Sequence, residues 1–170
     1  MNITLIMMSL VFTHTANASL DLWMQDKLKW DNIELAQRAS DVTQLTLMVS
    51  PFVASALQKE DRGKKLLVVS GVTLFNNLST GLLKIGTHRE RPNGENFKSF
   101  PSGHTSSAFV GASLTCFMVD KYSCGFLMGV AALTGYWRIA GNKHWFTDVV
   151  AGMALGLVNG RVAPSLVFTW

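Results

Sequence analysis

Five long stretches of the chain contain no Asp, Glu, Lys or Arg, and they constrain the fold more than any other feature. Each is about 12 to 18 residues long, at or below the roughly 20 residues of a membrane-spanning helix. Gly and Ala recur within them, as in AGMALGLVNG, which suits closely packed helices, and period-two alternation typical of strands is absent. The sequence therefore predicts an all-α fold, a compact bundle of about five or six core helices. The stretches are Val42–Gln58, Leu66–Leu83, Thr105–Val119, Tyr122–Trp137 and Val149–Gly160.

Composition favours a membrane protein and an anionic partner. Of the 170 residues 48% are hydrophobic and 15% charged, and the mean hydropathy is +0.24, which is more apolar than the core of one soluble domain needs. The net charge of +4 suits a phosphate group or an anionic membrane surface. No basic face with interleaved aromatic residues is evident, so we expect no nucleic-acid partner. We expect a membrane-embedded bundle, and a soluble one stays the alternative.

Residues 1–18 have the pattern of an export signal, and residues 19–170 are expected to form one helical domain. An apolar run of about ten residues precedes Ala16-Asn17-Ala18, which resembles a signal-peptidase site. The run lacks a preceding Lys or Arg, so an uncleaved first membrane helix is the alternative. The segment Leu20–Arg38 mixes apolar and charged residues and predicts one amphipathic helix or two short ones, with Trp23 and Trp30 either at a lipid interface or against the core.

Two polar segments far apart in the sequence are predicted to meet on one face of the bundle. The turn Lys59–Lys65 holds four Lys or Arg residues, which the positive-inside preference places in the cytoplasm. Alternating helices then put the loop Lys84–Pro101 and the turn Arg138–Asp148 together on the outer, periplasmic face. These segments and the helix start beside them contain the unusual polar residues of the chain: Lys84, His88, Arg89, Arg91, Ser102, Gly103, His104, Arg138, His144 and Asp148.

Cations that converge at helix ends form a site for a dense oxyanion, because Arg binds phosphate oxygens bidentately and helix N-terminal amides add donors. Ser102 is expected as an N-cap. His144 and Asp148 are four residues apart and share a helical face, so the carboxylate would orient the ring of a nucleophilic imidazole. His104 would be the general acid. Taken singly, each histidine would be interpreted as an ordinary structural residue, and it is their convergence with a carboxylate and three cations on one face that favours catalysis.

Three ordered motifs resemble one known superfamily. Lys84-x6-Arg91-Pro92, then Pro101-Ser102-Gly103-His104, then Arg138-x5-His144-x3-Asp148 are similar to the signature of the type 2 phosphatidic acid phosphatases, a superfamily that includes class A acid phosphatases and vanadium haloperoxidases. The resemblance implies that His144 attacks phosphorus to give a phosphohistidine, that Asp148 orients it and that His104 protonates the leaving group. It further implies phosphate binding by Lys84, Arg91, Ser102, Gly103 and Arg138, with no metal or other cofactor.

The resemblance implies metal-independent hydrolysis of a phosphomonoester or pyrophosphate, most naturally on a membrane lipid at the periplasmic face of a bacterial inner membrane. A soluble periplasmic acid phosphatase, a lipid phosphotransferase, a vanadium haloperoxidase and a non-enzymatic protein that binds anionic lipid are the alternatives. Phosphatidic acid, phosphatidylglycerol phosphate, undecaprenyl pyrophosphate and lipid A phosphates all stay open as substrates. The oligomeric state is left open.

Three details of the sequence are harder to interpret. The superfamily often has Ser directly before the arginine of its third motif, where this chain has Trp137, so one hydrogen bond at the site is expected to be missing. Arg89 is either an accessory ligand for a second phosphate or headgroup or a solvated loop cation. Cys116 and Cys124 are interpreted as small buried hydrophobic residues rather than as a disulfide.

Overall fold

The structure, a computed structural model, describes residues 18–167 and the side chains of residues 18–161. This part of the chain contains six helices and no strand, which confirms the predicted all-α bundle. The expected leader, residues 1–18, lies outside the described residues except for Ala18. The helices are α1 Ala18–Leu28, α2 Ile33–Leu57, α3 Arg62–Thr87, α4 Gly103–Cys116, α5 Lys121–Ala140 and α6 Phe146–Val167.

Short polar side chains fix where several helices begin. Asn32 caps α2 by accepting the amide of Leu35 at 3.0 Å, and Asp120 caps α5 by accepting the amides of Tyr122 and Ser123. Such caps satisfy amides that have no partner within the helix. The predicted amphipathic segment is accordingly divided, because α1 ends at Leu28 and the residues from Ile33 onward belong to the long helix α2.

Helix α4 is the centre of the bundle and packs against α2, α3, α5 and α6. Glycines make the closest approaches possible. A Cβ added at Gly111 would lie 2.0 Å from the carbonyl oxygen of Leu47 in α2. On α6, Gly152, Gly156 and Gly160 face α4, and added Cβ atoms would lie 2.5 Å from Ser102 O, 2.5 Å from Ser106 O and 2.6 Å from Ser113 Cβ. The two backbones are therefore nearly in contact along this seam.

The sequence interpretation of the cysteines is wrong, because Cys116 and Cys124 form a disulfide. Helix α4 ends at Cys116, and a four-residue turn reverses the chain into α5. This turn brings the two Cα atoms to 4.8 Å, within the range that a disulfide bridges. Spacing alone did not reveal the pair because the position of the turn was not fixed by the sequence pattern.

The bundle has two distinct ends. The loop after α3, the start of α4 and the turn between α5 and α6 lie together at one end, as the alternation of helices predicted. The charged turn Lys59–Lys65 and the disulfide lie at the other end. Along α3 the two ends are separated by about 33 Å, the rise of the 22 residues from Arg62 to Lys84.

Large apolar side chains cover the outside of the bundle. Within the described part of the chain one helix, α3, is long and apolar enough to cross a membrane, with a mean hydropathy of 1.5. Soluble monomers rarely expose apolar surface this extensively. The exposed residues include Leu45, Val49, Val53 and Leu57 of α2, Leu67, Leu74, Leu78, Leu82 and Ile85 of α3, and Tyr122, Phe126 and Leu133 of α5.

Candidate active site

The loop that follows α3 is wrapped around the ammonium group of Lys84. Its Nζ donates to the carbonyl oxygens of Lys98 at 2.8 Å and Pro101 at 2.6 Å. Arg91 is anchored in the same loop, since its Nε donates to Asn96 Oδ1 at 3.0 Å. The loop therefore holds two of the predicted phosphate-binding cations in place through its own polar atoms.

Ser102 and Gly103 open helix α4 at the bottom of this loop. Ser102 is fully buried and occupies the N-cap position, but its side chain makes no capping bond and pairs instead with Thr105 Oγ1 at 2.9 Å. Ser102 is therefore the N-cap residue that the sequence predicts, but its hydroxyl makes no capping hydrogen bond. The backbone of Ser102 donates to the carbonyl of Asp148 at 2.9 Å, which ties the second motif to the third. An added Cβ at Gly103 would meet only ordinary contacts, at 3.5 Å to Thr80 and 3.8 Å to Lys84.

His104 and Arg138 share one carboxylate that sequence reasoning missed. Asp41, in the third turn of α2, has its Oδ1 2.8 Å from His104 Nε2 and 3.6 Å from Arg138 Nη1. Arg138 is almost fully buried, and its Nη1 also donates to Ser40 Oγ at 3.1 Å. Its Nε has no hydrogen-bond partner among the described residues. Asp41 directly precedes the first uncharged stretch, but that position alone does not connect it with His104 or Arg138.

His144 sits in the turn between α5 and α6, directly above Arg138. Its amide donates to the Arg138 carbonyl at 3.2 Å, which explains why the two residues are close in the third motif. His144 Nδ1 lies 3.6 Å from Asp148 Oδ2, too far for a hydrogen bond. That oxygen already accepts from Ser99 Oγ at 2.5 Å and from the amide of Trp145 at 2.9 Å. Asp148 therefore lies beside the imidazole and is also bonded to the start of α6, in the manner of a capping box.

Burial sets the protonation state of His144. The side chain is 1% exposed, and burial lowers the pKa of His144 to about 3, with the neighbouring Arg138 and Lys84 acting in the same direction and Asp148 opposing them. The neutral imidazole is the form that has a lone pair for attack on an electrophile. At neutral pH the ring is therefore held in the form that a nucleophile needs.

Arg89 is neither an exposed loop cation nor a side chain open to a ligand. It is 13% exposed and bridges two carboxylates, with Nη1 at 2.6 Å from Asp148 Oδ1 and Nη2 at 2.5 Å from Asp21 Oδ2. Nη1 also donates to Thr147 Oγ1 at 2.7 Å. Both terminal nitrogens are thus bound within the protein, and the interpretation as an accessory phosphate ligand is not supported by its contacts.

Trp137, which stands where the superfamily often has Ser, contributes to an aromatic cluster. Its ring stacks on Trp30 with the centroids 5.0 Å apart, and Tyr136 contacts it edge-on at 4.8 Å. The amide of Trp30 donates to the Ala140 carbonyl at 3.2 Å. Trp30 thus packs on the end of α5 beside the site, while Trp23 is 57% exposed.

The three cations lie close enough for their charges to interact. Arg91 and Arg138 both act electrostatically on Lys84, as does Asp148. Two histidines stand beside these cations, each next to a carboxylate. Among the described residues no group of three His, Cys, Asp or Glu side chains is arranged to hold a metal ion. The arrangement is suited to bind a dense oxyanion and to present an imidazole to it.

Comparison with known proteins agrees with this fold and these motifs. The family model described as PAP2 superfamily matches residues 92–170, which contain the second and third motifs. Lipid A 1-phosphatase of Porphyromonas gingivalis is 31% identical over 134 residues, and the match covers 74% of this chain and 30% of that relative. The chain thus spans less than a third of the length of this curated relative. Residues 92–170 thus match the PAP2 superfamily, which confirms the resemblance found in the sequence.

Two crystal structures share the fold. The first transmembrane PAP2 type phosphatidylglycerolphosphate phosphatase from Bacillus subtilis superimposes with a TM-score of 0.75 at 22% identity, over 96% of this chain and 91% of that one. Aquifex aeolicus LpxE gives a TM-score of 0.61 at 22% identity, over 87% of each chain. Phosphatase, the enzyme class expected from the sequence, is also the class named for two of these proteins, the Porphyromonas lipid A 1-phosphatase and the Bacillus phosphatidylglycerolphosphate phosphatase.

Proposed function

We propose that the protein hydrolyses a phosphate ester of a membrane lipid through a phosphohistidine, without a metal ion. The observation that carries this proposal is the convergence of Lys84, Arg91 and Arg138 beside the pair His144 and Asp148. Three mutually repelling cations at one end of the bundle favour an anion that offsets their charge, and a phosphate group provides three or four oxygens for them. A buried neutral imidazole next to that anion is a nucleophile for phosphorus.

The reaction has two steps. In the first, Nε2 of His144 forms a bond to phosphorus while the bond to the leaving oxygen breaks and His104 supplies that oxygen with a proton. Arg138, Lys84 and Arg91 neutralise charge on the equatorial oxygens, and the amides at Gly103 add donors from the helix start. In the second step water attacks phosphorus, His104 takes a proton from it, and the bond to His144 breaks to release inorganic phosphate.

The substrate is proposed to be a lipid because the site lies at one end of an apolar surface. The exposed Leu, Val and Phe side chains of α2, α3 and α5 would contact the bilayer, so that the phosphate of a lipid enters the cationic pocket while its tails stay among the acyl chains. Two of the similar proteins, a lipid A 1-phosphatase and a phosphatidylglycerolphosphate phosphatase, are named for phosphorylated lipids, which supports the same substrate class here. We propose residues 19–170 as the phosphatase domain.

The proposed location is the bacterial inner membrane with the site toward the periplasm. A disulfide forms in oxidising compartments, so Cys116–Cys124 supports export of at least part of the chain. The disulfide lies at the end opposite the site, and this favours the second candidate, a soluble periplasmic phosphatase with both ends in that compartment. The breadth of the exposed apolar surface outweighs it, because a soluble monomer would bury such side chains.

Phosphate release tests the function. Purified protein in detergent with a metal chelator is assayed on lipid A, phosphatidylglycerol phosphate, phosphatidic acid, undecaprenyl pyrophosphate and p-nitrophenyl phosphate. We expect release from at least one lipid, and a loss of at least about 10³-fold in His144→Ala. His88→Asn is the matched control, since His88 is exposed and has a positive φ of 45° that Asn tolerates. Release equal in His144→Ala and wild type would refute the proposal.

Fractionation tests the location. Membranes from cells that express the protein are washed with carbonate and then extracted with detergent. We expect the activity only in the detergent extract, whereas active enzyme in the periplasmic or carbonate fraction would support the soluble candidate. A phosphotransferase is recognised in the same material by supplying a lipid alcohol as acceptor and measuring whether labelled phosphate enters water or lipid.

A further inference from the structure

One side chain outside all three motifs contacts two of them. Asp41 belongs to α2, more than 40 residues before the first motif begins, and it lies outside the matched range 92–170. A single oxygen, Oδ1, is 2.8 Å from His104 Nε2 and 3.6 Å from Arg138 Nη1. The residue therefore joins the second motif to the third from a helix that contributes nothing else charged to the site.

This contact differs from an ordinary surface ion pair. The Asp41 side chain is 61% exposed, but its partners are not: the His104 side chain is 34% exposed and that of Arg138 only 6%. Arg38, one turn earlier on α2, could have paired with Asp41 along the helix and instead binds Glu34 at 2.5 Å. The carboxylate is thus largely exposed to solvent, and one of its oxygens is directed toward two more buried partners.

We propose that Asp41 is the positioning residue of the general acid His104, an inference that rests on the proposed phosphatase function. Asp41 accepts a hydrogen bond from the protonated Nε2 of His104 and so fixes the orientation of the ring. Nδ1 is then the nitrogen that donates a proton to the leaving oxygen. Burial and the nearby Arg138 lower the pKa of His104 to about 4, and the negative charge of Asp41 opposes them by favouring the imidazolium. The arrangement gives each catalytic histidine its own carboxylate, Asp148 for His144 and Asp41 for His104.

The proton transfers balance with this assignment. While the bond from His144 to phosphorus forms, the bond to the leaving oxygen breaks and the proton on Nδ1 of His104 moves to that oxygen. His104 is then neutral, with its Nε2 proton still on the Asp41 side. In the second step Nδ1 takes a proton from the attacking water, the bond between phosphorus and His144 breaks, and the imidazolium beside Asp41 is restored.

A positioning role for the acid predicts dependence on the leaving group. An alkyl phosphate needs a proton on its leaving oxygen, whereas p-nitrophenolate leaves without one. We expect Asp41→Asn to lower kcat/KM on a dialkyl or diacyl glycerol phosphate by about 10²-fold and on p-nitrophenyl phosphate by less than about threefold. Asp41→Glu should recover part of the activity on the lipid, because it restores a carboxylate.

The controls separate this inference from the proposed function. Glu34→Gln removes an exposed carboxylate from the same helix that pairs with Arg38, and it should leave both rates unchanged. Equal losses on the two substrates in Asp41→Asn, or no loss on the lipid, would overturn the role of Asp41 while wild-type activity and its dependence on His144 still support the phosphatase. Absence of wild-type release on every substrate would instead refute the proposed function.

Discussion

The carboxylate of Asp21 accepts a hydrogen bond from the backbone amide of Thr147 at 2.9 Å. The two residues belong to α1 and to the first turn of α6, so the N-terminal helix caps the helix that bears Asp148. Asp21 is 2% exposed, and its other oxygen accepts from Thr147 Oγ1 and from Arg89. The third motif is therefore held in place by a side chain some 120 residues earlier in the sequence.

Replacing Asp21 should weaken both the fold and the site. We expect Asp21→Ala to lower the free energy of unfolding by about 3 kcal/mol, because it leaves buried Arg89 without one of its two carboxylates and removes the cap of α6. Thermal unfolding in detergent measures the change. Asp26→Ala is the control, since Asp26 is exposed on the same helix and pairs only with Lys27. Equal unfolding of the two variants would contradict the role of Asp21.

The low pKa of His144 predicts how stability depends on pH. The pKa of the folded-state ring is lowered to about 3, whereas that of an unfolded histidine is about 6.5. Between these values the unfolded chain binds a proton that the folded one does not, so the free energy of unfolding falls as the pH falls, by up to about 1.4 kcal/mol per pH unit for this proton. Above about pH 6.5 the ring is neutral in both states, so this proton no longer makes the free energy of unfolding depend on pH.

Denaturant unfolding of wild type and His144→Asn from pH 4 to pH 8 measures this effect. The variant should lose stability less steeply below pH 6.5, and the difference between the two slopes isolates the one proton. A slope that His144→Asn leaves unchanged would show that the ring is protonated in the folded state.

Gly103→Ala tests whether the start of α4 contacts the anion. The added methyl group would meet Thr80 and Lys84 only at ordinary distances of 3.5 and 3.8 Å, so the fold should be kept or stabilised by about 0.5 kcal/mol. Inhibition by orthovanadate should nevertheless weaken by at least about tenfold, because a phosphate analogue approaches this backbone. Gly63→Ala, in the first turn of α3 at the other end of the bundle, should change neither. Unaltered vanadate inhibition in Gly103→Ala would place the anion elsewhere.

Reduction of the disulfide has a measurable expectation. Alkylation of the denatured protein without reductant should modify neither Cys116 nor Cys124, and both should react after reduction. Because the bridge closes a loop of about eight residues, Cys116→Ser with Cys124→Ser should lower the free energy of unfolding by about 2.5 kcal/mol. Two free thiols in protein purified from cells without reductant would contradict the disulfide.

The sequence was sufficient to predict the fold class and that the motif residues lie together at one end of the bundle, but not to predict the contacts that hold them. The uncharged stretches determine helices because their length and Gly and Ala content leave few other solutions, and alternation along the chain determines that the loop after α3 and the turn before α6 meet. Asp21 and Asp41 were missed because their partners, Thr147 and His104, lie far along the chain. No local period links such residues, and only the packing of the helices brings them together.

Arg89 and Cys116 show the other limit of sequence reasoning. The sequence around an arginine in a polar loop looks the same whether the side chain contacts solvent, a ligand or a buried carboxylate. Here the packing of α1 against α6 brings Asp21 and Asp148 to Arg89. The disulfide could be predicted only if the end of α4 were known, and helix ends are the part of a helix that a sequence pattern defines least well. In both cases the deciding information is tertiary.

The distance between the second and third motifs depends on the glycine seam between α4 and α6, where the absence of side chains lets the two helices approach closely. Gly152, Gly156 and Gly160 occur at successive turns, and the first of them lies against the Ser102 carbonyl whose own amide meets Asp148. A methyl group at Gly156 would push α6 away from α4 and so move the third motif away from the second. Gly156 lies about 15 Å or less along the helix from the residues that are proposed to bind phosphate. Substitutions in the apolar interior, which no substrate atom contacts, can therefore change the rate of the proposed reaction.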